Sequence, residues 1–123
     1  MATILIVEDN PHNLKLASLL LEQAGYTILQ ATEAQQGIAL AQQHLPDLIL
    51  MDIQLPGMDG LTASHLLKQD NLTKGIRILA LTAFAMKGDE EKMLAHGCDG
   101  YIAKPIRYKE FLENIATTLK SLP

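Results

Sequence analysis

A single cysteine, Cys98, stands in 123 residues. That excludes an intramolecular disulfide framework and any cysteine-rich zinc site. No apolar run reaches the roughly 18 residues of a membrane span. Lysine and arginine nowhere cluster, and ten of them stand against fourteen Asp and Glu, for a formal charge of −4. A surface built for nonspecific nucleic-acid binding is therefore excluded. The start, Met1-Ala2-Thr3, has no basic segment and enters an apolar run at once, so no signal peptide is predicted. No linker, low-complexity tract or internal sequence repeat interrupts the chain. The composition, 48% hydrophobic and 20% charged, is that of an ordinary globular domain rather than a disordered one. The expectation is one soluble, cytoplasmic domain over residues 1–123, with no room for a second, effector domain.

Five short apolar runs punctuate the sequence: Ile4–Val7, Thr27–Ala31, Leu48–Met51, Ile78–Leu81 and Gly100–Ala103. Their starts lie 23, 21, 30 and 22 residues apart. Continuous apolar runs of this length suit strands buried on both faces. Helical patterns fill the intervals. The first follows Asn10, a good N-cap, with Pro11 at the first helical position. Leu14, Ala17, Leu21 and Ala24 follow helical spacing there, and Gly25 is a natural stop. A second runs from about Glu33 to Gln43, with Ile38, Ala41 and Leu45 inward, and ends at Pro46-Asp47. A third begins near Gly60 with Leu61, Leu66 and Leu67. A fourth spans roughly Lys87 to His96, closed by Gly97. The last starts near Arg107, with Tyr108, Phe111 or Leu112, Ile115 and Leu119 on one face. Strand and helix thus alternate five times. The predicted fold is α/β, a (βα)5 doubly wound, five-stranded parallel sheet of flavodoxin-like order 2-1-3-4-5.

In such a sheet, ligands bind outside the carboxyl ends of the strands. Glu8-Asp9 end the first strand, Asp52 follows the third, Thr82 the fourth, and the fifth runs into Lys104-Pro105. Strands 1 and 3 are neighbours in the expected order, so three carboxylates converge. Two carboxylates ~4 Å apart repel by about 4 kcal/mol at an effective dielectric of ~20. A shared proton or a hard divalent cation such as Mg²⁺ would offset this. Each residue also has a plainer reading. Glu8-Asp9 can cap the following helix, Asp52 can cap a turn, Thr82 can be an ordinary strand residue and Lys104 a surface lysine.

The motifs Ile6-Val7-Glu8-Asp9-Asn10, Met51-Asp52-Ile53-Gln54-Leu55-Pro56-Gly57-Met58-Asp59-Gly60, Leu81-Thr82-Ala83 and Lys104-Pro105 resemble those of two-component response-regulator receiver domains. The likeness covers essentially the whole chain. It is strongest to single-domain regulators of the DivK type and to the receiver modules of hybrid histidine kinases. The resemblance implies that Asp52 accepts a phosphoryl group from a histidine kinase or histidine phosphotransfer protein. It implies that Asp9, Asp52 and the backbone carbonyl of Gln54 ligate Mg²⁺, with Glu8 holding a metal-bound water. Lys104 would bind phosphoryl oxygens, helped by the Thr82 hydroxyl and the Ala83 N–H, and Pro105 would follow a cis peptide. Thr82 and Tyr101 would form the switch, and the face of helix 4, strand 5 and helix 5, including Phe84 and Met86, would contact a downstream protein. The last two helices leave a homodimer open. On this reading the chain catalyses only its own phosphorylation and dephosphorylation, and its output is a protein–protein contact.

Other readings are weaker. A dehalogenase-like phosphatase needs a second Asp two residues after the nucleophile, and Gln54 stands there. A flavin site needs a phosphate cradle after strand 1, where Glu8-Asp9 would repel phosphate. A receiver serving only for docking would not need the acids, Thr82 and Lys104 together. A receiver cut from a larger protein is the remaining alternative. The four histidines, His12, His44, His65 and His96, are expected at the surface or edges.

Overall fold

In the computed structural model, which describes residues 2–83 and 87–120, strands and helices alternate throughout. The order is β1 (Thr3–Val7), α1 (Pro11–Gln23), β2 (Thr27–Ala31), α2 (Ala34–His44), β3 (Leu48–Asp52), α3 (Gly60–Gln69), β4 (Arg77–Thr82), α4 (Lys87–Ala95), β5 (Gly100–Ala103) and α5 (Tyr108–Lys120). All strand pairings are parallel, in the order β2-β1-β3-β4-β5. The expected architecture is therefore the observed one. Phe84 and Met86, assigned above to a contact face, lie outside the described residues, as does the Lys87 side chain.

Local chemistry sets the helix ends. The Asn10 side chain accepts from the N–H groups of His12 (2.9 Å) and Asn13 (3.2 Å), so two of the helix's orphan donors are satisfied before Pro11 begins the turn. At the other end Gly25 takes φ +100°, Gly25 N–H donates to Glu22 O and Tyr26 N–H to Leu21 O. This paired return closes the helix with the residue least strained at positive φ. The chain end of α2 differs from expectation. Helical geometry stops at His44, and Leu45 turns into the left-handed region at φ 48° ahead of Pro46. Leu45 therefore leaves the inward stripe and is exposed.

Alternation along the strands sorts the core into two layers. Leu5, Val7, Ile49, Met51, Ile78 and Ala80 pack with α2, α3 and α4 through Ala41, Ala63, Leu67 and Met93. Ile4, Ile6, Leu48, Leu50, Leu79 and Leu81 pack with α1 and α5 through Ala17, Leu21, Phe111 and Ile115. Strands buried on both faces explain the unbroken apolar runs. The inward stripes are narrower than the sequence pattern suggested: Ala24, Leu66 and Tyr108 are exposed. Among the described residues, no helix is long and apolar enough to cross a membrane.

Candidate phosphoacceptor and metal site

Register brings the polar residues together. Val7 pairs with Met51, Asp52 with Leu81 and Thr82 with Ala103. One step past these pairs lie Glu8-Asp9 and Lys104, so the ends of β1, β3, β4 and β5 deliver acid, acid, hydroxyl and amine to one edge of the sheet. Carboxylate oxygens of Glu8, Asp9 and Asp52 all lie within 4.8 Å of one another. Glu8 and Asp52 are buried, at 1% and 3% exposure, while Asp9 faces solvent.

Lys104 Nζ lies 2.8 Å from Glu8 Oε1 and donates to Asp52 Oδ2 at 3.1 Å. Its backbone N–H donates to the Thr82 carbonyl at 2.7 Å, and the Lys104–Pro105 peptide is cis. Asp52 Oδ1 accepts from the Gln54 N–H at 2.9 Å, while the Gln54 side chain points outward. The Thr82 side chain is fully buried and Ala83 occupies an exposed bend. Tyr101 pairs with Ala80, shares the sheet face of Thr82, and is half-buried against the core layer of α3 and α4.

Two buried acids and one half-buried lysine cannot all keep ordinary proton affinities. Burial, and then a hydrogen bond to Asp52 when Glu8 carries a proton, push the Glu8 carboxyl up to about 7 against the pull of Lys104. Burial also works to raise Asp52, but the bond to Glu8, the Gln54 N–H and Lys104 together hold it below the ordinary carboxylate value. Burial works to lower Lys104, and the two carboxylates overcome it and raise the amine. Asp52 is thus the ionised member of the pair. With both acids ionised, neither Glu8 oxygen has a hydrogen-bond donor at bonding geometry; Oε1 keeps only its ion pair to Lys104. A buried carboxylate oxygen without a donor, among three carboxylates, is a place for a hard cation.

Sequence reasoning missed the role of Gly60. A Cβ there would overlap the Asp52 carbonyl oxygen and come within 2.7 Å of Ile53 Cα. Gly60 N–H also donates to Ile53 O at 3.3 Å. Only glycine lets the start of α3 lie on the backbone that carries Asp52. The Asp59-Gly60 pair in the sequence marks a helix start, with Asp59 accepting from Thr62 N–H at 2.8 Å, but not this close approach.

The chain is similar to known proteins over nearly its whole length. A model of the response regulator receiver domain matches residues 4–116. The chain is 46% identical over 117 residues to the polar-differentiation response regulator DivK of Brucella anthropi, covering 95% of each chain. The receiver domain of a sensor histidine kinase from Pseudomonas aeruginosa, solved with a magnesium ion coordinated in its active-site cleft, is 33% identical with a TM-score of 0.90 over 98% of each chain. A CheY-like receiver domain protein from Methanospirillum hungatei gives 30% identity and a TM-score of 0.91, covering 99% of this chain and 96% of that one.

Proposed function

From the fact that the chain belongs to the response regulator receiver domain family of two-component signalling, we propose that it accepts a phosphoryl group on Asp52 from a phosphohistidine of a kinase or phosphotransfer protein. The observation that carries this reading is the buried Asp52 carboxylate fixed by Lys104 and the Gln54 N–H. An oxygen of Asp52 attacks phosphorus, and the P–N bond of the phosphohistidine breaks with its electron pair returning to the imidazole. The Asp52 carboxylate needs no base, because it is already unprotonated at neutral pH. Lys104 loses part of its carboxylate partner as Asp52 becomes an acyl phosphate, and its amine then pairs with the new phosphoryl oxygens. Catalysis here is positioning and charge neutralisation.

Glu8, Asp9, Asp52 and the Gln54 carbonyl would hold Mg²⁺; the all-oxygen donor set and the donorless Glu8 Oε2 support this choice. Bound there, Mg²⁺ would supply the positive charge that offsets the crowded carboxylates and the incoming phosphoryl oxygens. The Thr82 hydroxyl and the Ala83 N–H would receive the remaining phosphoryl oxygens. Because Thr82 and Tyr101 share one face of the sheet, a shift of Thr82 would be felt by Tyr101. A downstream protein would then read the surface of α4, β5 and α5. The output is a cytoplasmic protein–protein contact, and the only chemistry is the chain's own phosphorylation and dephosphorylation. The test is intact-mass analysis after incubation with a small-molecule phosphodonor and Mg²⁺. One added phosphate on the wild type and none on Asp52→Ala supports the reading; equal labelling of both refutes it.

A further inference from the structure

We propose that His65 and His96 form a second metal site, for a borderline divalent ion such as Ni²⁺, Cu²⁺ or Zn²⁺, bridging α3 and the end of α4. The two imidazoles meet edge to face, with centroids 6.3 Å apart and planes at 75°. A metal–nitrogen bond of about 2.1 Å places each ring centre about 3.2 Å from a shared ion, so two rings on one ion have centres at most ~6.4 Å apart. The observed spacing falls inside that limit. His65 is exposed on α3, so a rotation of its side chain closes the pair around an ion without disturbing the core.

His96 is already oriented for such a role. Its Nδ1 sits 2.8 Å from the Lys92 carbonyl oxygen. A carbonyl only accepts, so Nδ1 carries the proton and Nε2 is left with its lone pair. This backbone-anchored imidazole is the usual arrangement of a metal-ligating histidine. The backbone beneath it is fixed against α3 by three successive neighbours. Gly97, at φ +94°, lies so close to Lys68 that a Cβ would come within 2.6 Å of its Cγ. The Cys98 thiol faces the Ser64 hydroxyl at 3.6 Å, and Asp99 pairs with Lys68 at 3.1 Å. The Lys68 charge is therefore directed to Asp99 rather than into the histidine pair. Two imidazole nitrogens, one on α3 and one just past the end of α4, suit a borderline ion, with water completing its coordination. Mg²⁺ prefers oxygen donors to imidazole nitrogen. The pair is thus chemically separate from the acids at the strand ends.

The test is calorimetric titration of the untagged, full chain with NiCl₂ in excess Mg²⁺, which keeps the acid site engaged. The expected result is one equivalent of Ni²⁺ bound, weakened about tenfold or more by His65→Ala and by His96→Ala. Asp9→Ala and His12→Ala bind as the wild type does. Circular dichroism of each variant checks the fold; His65→Ala, being at an exposed position, carries the test should His96→Ala unfold. No Ni²⁺ binding by the wild type, unweakened binding by His65→Ala, or loss of binding in Asp9→Ala would each overturn the proposal.

Discussion

Lys104 and Asp52 meet at 3.1 Å although 52 residues and one whole strand separate them. Asp52 ends β3, Lys104 follows β5, and β4 lies between. The lysine crosses that gap because its own N–H is fastened to the Thr82 carbonyl at the end of β4. One backbone bond thus positions the cation over the site, and the amine reaches Glu8 and Asp52 together.

Removing that amine leaves two buried carboxylates without their cation. Lys104→Ala is expected to lower stability at pH 8 by about 1–3 kcal/mol, less than the ~3–5 kcal/mol of a fully buried pair because Lys104 reaches solvent. Urea denaturation measures this directly. Added Mg²⁺ should still bind and recover part of the loss. Phosphorylation of this variant should no longer alter affinity for a downstream partner.

Glu8 gives the site a pH signature. Its carboxyl, raised by burial and by Asp52 from 4.5 to about 7, binds its proton more tightly in the folded state. The unfolded chain releases that proton first, so stability falls as pH rises from about 4.5 to about 7. Mg²⁺ competes with the same proton. Its stabilising shift in melting temperature should therefore be larger at pH 8 than at pH 5. Equal shifts at both pH values would contradict this, and Glu8→Gln should flatten the metal-free profile.

Gly60→Ala tests the backbone beneath the nucleophile. The added methyl meets the Asp52 carbonyl and the Ile53 Cα, neither of which is a flexible side-chain end. Overpacking of this kind costs about 1–3 kcal/mol. Chemical denaturation should show that loss, and phosphorylation of Asp52 should slow with it. An unchanged midpoint would mean that α3 can withdraw at no cost.

Asp52→Asn should separate function from stability. It removes the charge that repels Glu8 while leaving a side chain of the same shape. The melting temperature at pH 8 without Mg²⁺ should stay level or rise, while phosphate uptake disappears. A marked fall in melting temperature would show that Asp52 is held mainly as a structural partner of Lys104.

The sheet was legible because the runs in β1, β3 and β4 are apolar on both faces, and Pro11, Gly25 and Gly97 punctuate the helices. The acids and Lys104 were legible because a parallel sheet collects its strand ends on one edge. What escaped depends on contacts between distant segments. Leu45 followed the helical stripe, yet Pro46 forced the turn that exposes it. Gly60 read as a helix start, while its closeness to Asp52 depends on how α3 is set down. The His65–His96 contact joins α3 to the turn after α4 across 31 residues of sequence, and nothing in either segment announces it.

The most direct measurement is transfer from a radiolabelled phosphohistidine donor to this chain in the presence of Mg²⁺, followed by site mapping. The account predicts that label leaves the donor as it enters the chain, that it is labile to hydroxylamine as an acyl phosphate is, and that it maps to Asp52. Label that resists hydroxylamine and maps to Thr82, or label that persists in Asp52→Ala, would contradict it.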